Sequence, residues 1–332
     1  MTALSRPLLS RPLLSRPFPY THAAAVAIIG GAIVLGGCNR QQPTHTDQEP
    51  AVSAEQLAFD AEQQRWREQR LTGLLAPDGW ASLTGLHWIE PGPHYVGSNA
   101  GNGIKLTMGP QHLGMIDLRD GRIRFVPESG VALTVDGEAL AGPTSLRVDD
   151  DPAGPSLLGF DDGKGQATVI KRNGRYALRV RHAEAPSRTR FSGLDYWPAD
   201  RSWVVDAKFV AHPVGQTMEI ANIVGAFDEV ANPGVVEFER DGATYRLEAI
   251  DEGGDELFLV FADRTNGHGS YGAGRFLYAP RPDATGRLVL DFNRAYSPPC
   301  AFTAFATCPL PPPENRLDLA VTAGEKAYAH AD

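Results

Sequence analysis

Six polar side chains in the C-terminal third are of the right types for acid–base or anion chemistry: Arg275, Asp291, Asn293, Tyr296, Asn315 and Glu325. A guanidinium clamps an anion through a planar fork of donors, and a carboxylate can take or give a proton at a reacting centre. Asp291 and Asn293 alternate with apolar Leu290 and Phe292, so both lie on one face of an extended run. Arg275 opens the apolar run 275–278, and Asp291 closes the run 287–292. Pro280, Pro282, Asp283 and Gly286 lie between them, which predicts a hairpin that brings Arg275 toward Asn293. The loop from Tyr296 to Pro313 must then fold back over that end and return Asn315 and Glu325 to it. Two arrangements fit. One is an open pocket with Arg275 as anion clamp and Asp291 or Glu325 as acid or base. The other is a closed network in which the carboxylates pair with arginines and the Asn side chains satisfy loop backbone.

Other reactive types are sparser. Cys300 and Cys308 stand in a Pro-rich loop. In an exported protein a disulfide is the first reading, adding about 2–3 kcal/mol in the chain-entropy model. Two buried free thiols are the second. Metal binding or catalysis comes third, because no further Cys pair, intervening His or local base accompanies them. His268 and Ser270 sit among glycines, but their spacing does not make a nucleophile elbow, and a hairpin loop is the better reading. His87, before Trp88, reads as structural or as a pocket wall. Asp149, Asp150 and Asp151 are consecutive, a pattern that suits a solvated turn better than convergence on one ion. Phosphate-loop glycine motifs are absent. No cofactor and no metal is implied.

The N-terminus sets the compartment. Arg6, Arg11 and Arg16 precede any acid, and a small, apolar run from Ala23 to Gly37 follows. That is the pattern of an export signal over residues 1–37, too short for the ~20 residues that span a bilayer. It ends in Leu35-Gly36-Gly37-Cys38, the small-residue site before a lipid-bearing cysteine. Cys38 is therefore expected to carry acyl chains, each buried CH₂ adding about 0.8 kcal/mol of membrane affinity. The expected partner is thus a lipid bilayer, with the domain facing the periplasm or the exterior from the cell membrane or outer membrane. The whole chain carries 31 Lys and Arg against 40 Asp and Glu; losing the three leader arginines takes the net charge from −9 to −12. An acidic domain without a basic stripe argues against nucleic acid as a partner.

Residues 38–52 read as a flexible tether. Ser53 with Gln56 forms a capping box, and good helix formers continue to Pro77, predicting a helix over 53–76 with Phe59, Trp66 and Leu74 on one face. Beyond Trp80 the pattern is β. Asn173-Gly174 and Asp241-Gly242 each join two alternating runs, the strongest short hairpin signal. Further strands are expected over 122–126, 131–135, 202–210, 256–261 and 287–292. The acidic, Gly- and Pro-rich stretch 149–165 reads as a linker. The fold class expected is mainly β: two sandwich- or barrel-like units, 78–150 and 165–328, preceded by one N-terminal helix.

Three blocks resemble the family known as domain of unknown function 1684. They are Gly79-Trp80-Ala81-Ser82-Leu83-Thr84-Gly85-Leu86-His87-Trp88; Asp263-Arg264-Thr265 with Tyr271-Gly272-Ala273-Gly274-Arg275-Phe276-Leu277; and the long run from Leu290 to Cys300 continued by Cys308 to Pro312, Asn315-Arg316-Leu317 and Ala323-Gly324-Glu325. Ser297 stands where a common form of the motif has Asn. The resemblance implies a β-rich fold whose first half is similar to a forkhead-associated-type sandwich, and it implies no activity. Two functions follow. The first is an envelope lipoprotein acting as a surface-tethered module that is structural or binds a small polar or anionic ligand. The second is a hydrolase built on Arg275, Asp291, Asn293 and Glu325. Catalysis requires these residues to meet in an open cleft with a carboxylate free of a buried arginine.

Overall fold

A computed structural model describes residues 53–329. The leader, Cys38 and the tether lie outside the described residues. The helix forms over Ala54–Leu74, and the Ser53 hydroxyl caps it by accepting the Gln56 N–H at 3.1 Å. Its inner face is more polar than the apolar stripe predicted: Gln63 and Leu74 are buried, while Phe59, Trp66, Arg67 and Arg70 are half-buried. Among the described residues no helix is long and apolar enough to cross a membrane.

Mainly β structure follows, as expected. The first unit is a sandwich of two sheets. One sheet has the order Leu83–Ile89, Arg175–His182, Gly165–Arg172, Leu158–Phe160, Thr134–Val135, Glu138–Ala139. The other has the order Ile104–Lys105, Gly92–Gly97, Gly114–Arg119, Arg122–Pro127, Thr144–Leu146. Ile116, Phe125, Phe160, Val169 and Leu178 fill the space between them.

This arrangement corrects the boundary at 149–165. The hairpin after that stretch belongs to the first unit, because Arg175–His182 pairs with Leu83–Ile89. Alternation in Gly165–Arg172 points Ala167 and Val169 into the first core. The acidic stretch is a strap. Asp149 accepts the Lys171 N–H at 2.8 Å and pairs with Arg172 at 2.7 Å, while Asp150 meets Lys171. Both predicted turns are present, with φ of 47° and 75° at Asn173-Gly174 and 53° and 77° at Asp241-Gly242.

The second unit holds a sheet ordered Ala243–Ala249, Gly234–Arg240, Val204–Ala211, Arg287–Asp291, with two two-stranded ribbons beside it. One ribbon is Thr217–Ala221 with Phe227–Ala231; the other is Glu256–Phe261 with Arg275–Pro280. The predicted hairpin between 275–278 and 287–292 is therefore not formed. Leu257 through Phe261 are buried on both faces and take the equally apolar Arg275–Pro280 as partner. Arg287–Asp291 alternates buried and exposed, and it closes the neighbouring sheet against Val204–Lys208. The Pro-rich loop joins the parts. Ala301 and Phe302 pack with Leu74 and Ala81, while Ala306 and Cys308 pack with Leu83, Ile220, Phe258 and Phe276.

Candidate functional site

Arg275 is wholly buried, and its charge is spent within the fold. Its guanidinium pairs with Asp263 at 2.7 Å and donates to the carbonyls of Ala323 and, at 2.8 Å, Val321. The ring faces of Trp197 and Phe261 lie 5.3 Å away. Burial lowers its pKa, and the Asp263 charge offsets part of that. Asp263 in turn accepts the backbone N–H of Thr265 at 2.8 Å and of Val321 at 3.2 Å. This is a pin that fastens the C-terminal segment to the strand, and its carboxylate is Asp263, not Asp291.

Asp291 and Asn293 do meet, as neighbours two residues apart. Asp291 caps a short 3₁₀ turn, Phe292–Arg294, by accepting the Asn293 N–H at 3.1 Å. Its other oxygen accepts from the buried Gln63 of the helix at 2.7 Å and pairs with Arg294 at 3.1 Å. Asn293 is fully buried and exchanges two 2.9 Å hydrogen bonds with the backbone of Asp200.

Glu325, also fully buried, meets the helix about two turns further along, at Arg70. It accepts from Arg70 at 2.8 Å, from the Ser297 N–H at 2.8 Å and from the Tyr196 hydroxyl at 3.4 Å. Arg70 lies 4.6 Å from the Tyr296 ring centre. Burial disfavours the Arg70 charge, yet attraction to Glu325 more than restores it, and its pKa rises. Burial pushes the Tyr296 and Tyr196 phenols up as well, so both stay protonated. Asn315 lies apart: its side chain bridges Glu248, whose N–H it accepts at 2.6 Å, to the Val260 carbonyl at 2.9 Å.

The structure thus brings Asp291, Asn293, Tyr296 and Glu325 under one helix, sets Arg275 behind them and leaves Asn315 apart, in the 3₁₀ turn Pro313–Asn315. All are committed partners in closed networks. The remaining candidates resolve similarly. Cys300 and Cys308 do not form the expected disulfide. Both are free thiols, and the Cys308 sulfur accepts the Cys300 N–H at 3.1 Å. The hydrogen bond with Cys308 lowers the Cys300 pKa, and burial raises that of Cys308. His268 is exposed while Ser270 is buried against Thr265, so they make no catalytic pair. An open groove of about 360 Å³ lies elsewhere, lined by Gln216, Glu219, Asn232, Glu248 and Glu314 among others. Its three carboxylates suit no anion. Among the described residues no cluster could hold a metal ion.

Residues 189–326 match the family described as "Protein of unknown function (DUF1684)". The chain belongs to this family. The DUF1684 match begins just before the second β unit and ends one residue past Glu325, so it contains all six candidates. The solution NMR structure of an uncharacterized protein of Haloarcula marismortui is 32% identical, over 42% of this chain and 78% of that one, with a TM-score of 0.36. No curated protein matches the chain.

Sequence reading missed the true partners of the DUF1684 candidates: Gln63 and Arg70 on the helix, Asp263 before the Arg275 strand, and Asp200. Two signals were available. Gln63, Arg67, Arg70 and Leu74 recur at helical spacing, so they share a face. Asp263 stands in the same block as Arg275 and is followed by Thr265, a common carboxylate–backbone turn.

Proposed function

We propose that this DUF1684 member is a lipid-tethered β-module of the bacterial envelope that binds a small polar ligand, with no catalytic use of Asp291 or Glu325. The observation that carries this reading is the fixed environment of the two carboxylates. Glu325 is fully buried against Arg70 and the Ser297 N–H, and Asp291 is held by Gln63, Arg294 and Asn293. A general acid or base must reach a proton on a substrate, and neither carboxylate has a free oxygen facing an open cleft. The hydrolase alternative also asks Arg275 to stabilise an anion, whereas that guanidinium is already held by Asp263 and two carbonyls.

The tether rests on the sequence alone. A basic leader, an apolar run and Leu35-Gly36-Gly37-Cys38 support acylation of Cys38 and placement on a membrane surface. Two measurements test the proposal. Cys38→Ala should abolish incorporation of labelled palmitate into the full chain; undiminished labelling contradicts the tether. Native mass spectrometry of the detergent-extracted protein should find a noncovalent small polar molecule retained equally by wild type and Asp291→Asn. Turnover of a retained compound that disappears in Asp291→Asn contradicts the binding reading.

A further inference from the structure

Three arginines lie on the outer face of the first unit's six-stranded sheet: Arg172, Arg179 and Arg181. The register places Arg179 opposite Thr168 and Arg181 opposite Gln166, on the side away from the core residues Ala167, Val169, Leu178 and Val180. The Pro-rich loop of the second unit covers this face, and Arg179 donates to the Thr307 hydroxyl at 3.1 Å. Arg172 is neutralised by Asp149. Arg179 and Arg181 form no ion pair among the described residues, although Arg179 is only 5% exposed. The Nε of each is buried without a hydrogen-bond partner.

Both guanidinium groups sit over Trp80, at 5.6 and 5.7 Å from its ring centre. The acids that face them are few: Asp149, already engaged by Arg172, and the exposed Asp78. Burial, with repulsion from Arg172 and Arg181, drives the Arg179 pKa down to about 9. A buried cation with an orphaned donor is costly unless an opposite charge completes it. Trp80, Arg181 and Thr307 are partly exposed, so the base of the cluster is buried and its rim is not.

We infer that Arg179 and Arg181, with Trp80 and Thr307, form a binding site for an oxyanion group, a phosphate or carboxylate, at the joint between the two β units. Two guanidinium forks converging from alternate positions of one strand suit the oxygens of such a group, and Trp80 holds the forks in place. Its arginines and Trp80 lie outside the DUF1684 match, Thr307 lies within it, and the site uses none of the six candidates drawn from the sequence. It rests on the reading of this protein as a binding module and supplies the ligand class.

The test uses the full detergent-solubilised chain. Its melting temperature is followed against sodium phosphate and sodium acetate, with sodium chloride at matched ionic strength as control. Micelles doped with phosphatidylglycerol form a further arm. A rise of several degrees with phosphate or acetate beyond chloride is expected. The rise should vanish in Arg179→Met and need at least tenfold more anion in Arg181→Met. A response to phosphatidylglycerol alone assigns the group to a lipid headgroup; a response to the free ions assigns a soluble ligand. Without anion, Arg179→Met should melt no lower than wild type, because an unpaired charge has been removed. If Arg179→Met does not fold, Arg181→Met at the rim carries the comparison. Equal responses in wild type and Arg181→Met, or none beyond chloride in any arm, overturn the site. Retention of a polar molecule that is unchanged by both substitutions overturns this assignment while leaving the binding reading standing.

Discussion

Two residues show how environment decides role. Arg275 has the chemistry of an anion clamp, but full burial against Asp263 makes it structural. Arg275→Met should cost about 3–5 kcal/mol in a urea denaturation series, because it strands the Asp263 carboxylate without its partner. A loss below about 1 kcal/mol would show that the pin is not closed. His87 is the second case. Its Nε2 is buried without a partner, and burial lowers its pKa below the ordinary 6.5. At pH 8 the ring is neutral in both folded and unfolded chains and contributes no pH dependence. As pH falls below 6.5 the unfolded chain takes up the proton first, so the fold loses stability until the folded-state pKa is reached. Melting curves between pH 8 and 5 should show this slope, and His87→Gln should flatten it. An identical slope in the variant would assign the effect to other groups.

At the scale of elements, local patterns translated well, the two tight hairpins included, and the longer-range pairing of Arg275–Pro280 did not. The capping box at Ser53, the two hairpin turns and the strand over 256–261 were legible because each signal is contained within a few residues. The partner of Arg275–Pro280 was not, because sequence adjacency favoured Arg287–Asp291 while the two-sided burial of Glu256–Phe261 favoured an apolar partner. The helix face was misread for a related reason. Its contacts with the domain run through Gln63 and Arg70, residue types that sequence patterns assign to solvent. The acidic stretch 149–165 looked like a linker because Gly, Pro and Asp are common to linkers and to straps. Gly165 tests the corrected assignment of the hairpin. A Cβ there would meet the Phe160 ring at 2.0 Å, so Gly165→Ala must push a large side chain within the first core. We expect a loss of about 1–3 kcal/mol from such overpacking, measured by chemical denaturation. An unchanged midpoint would place Gly165 outside that core.

Across the whole molecule, the helix and the Pro-rich loop tie the two β units into one body. The helix follows directly on residues 38–52, the segment proposed to leave the membrane, and its inner face fastens Asp291 through Gln63 and Glu325 through Arg70. Asp291, Tyr296 and Glu325 are therefore the anchorage of that helix, which explains why strongly polar side chains gather beneath it. Buried ion pairs of this kind cost stability when halved and little when both partners become apolar or neutral. The most direct test of this account is a double-mutant cycle on Arg70 and Glu325, read by urea denaturation together with ligand retention in native mass spectrometry. Arg70→Met and Glu325→Gln should each cost about 3–5 kcal/mol, and the double variant should recover a coupling of about 1–3 kcal/mol while retaining ligand as wild type does. Single variants as stable as wild type that have lost ligand or turnover would contradict it, because Glu325 would then be a working group of an active site.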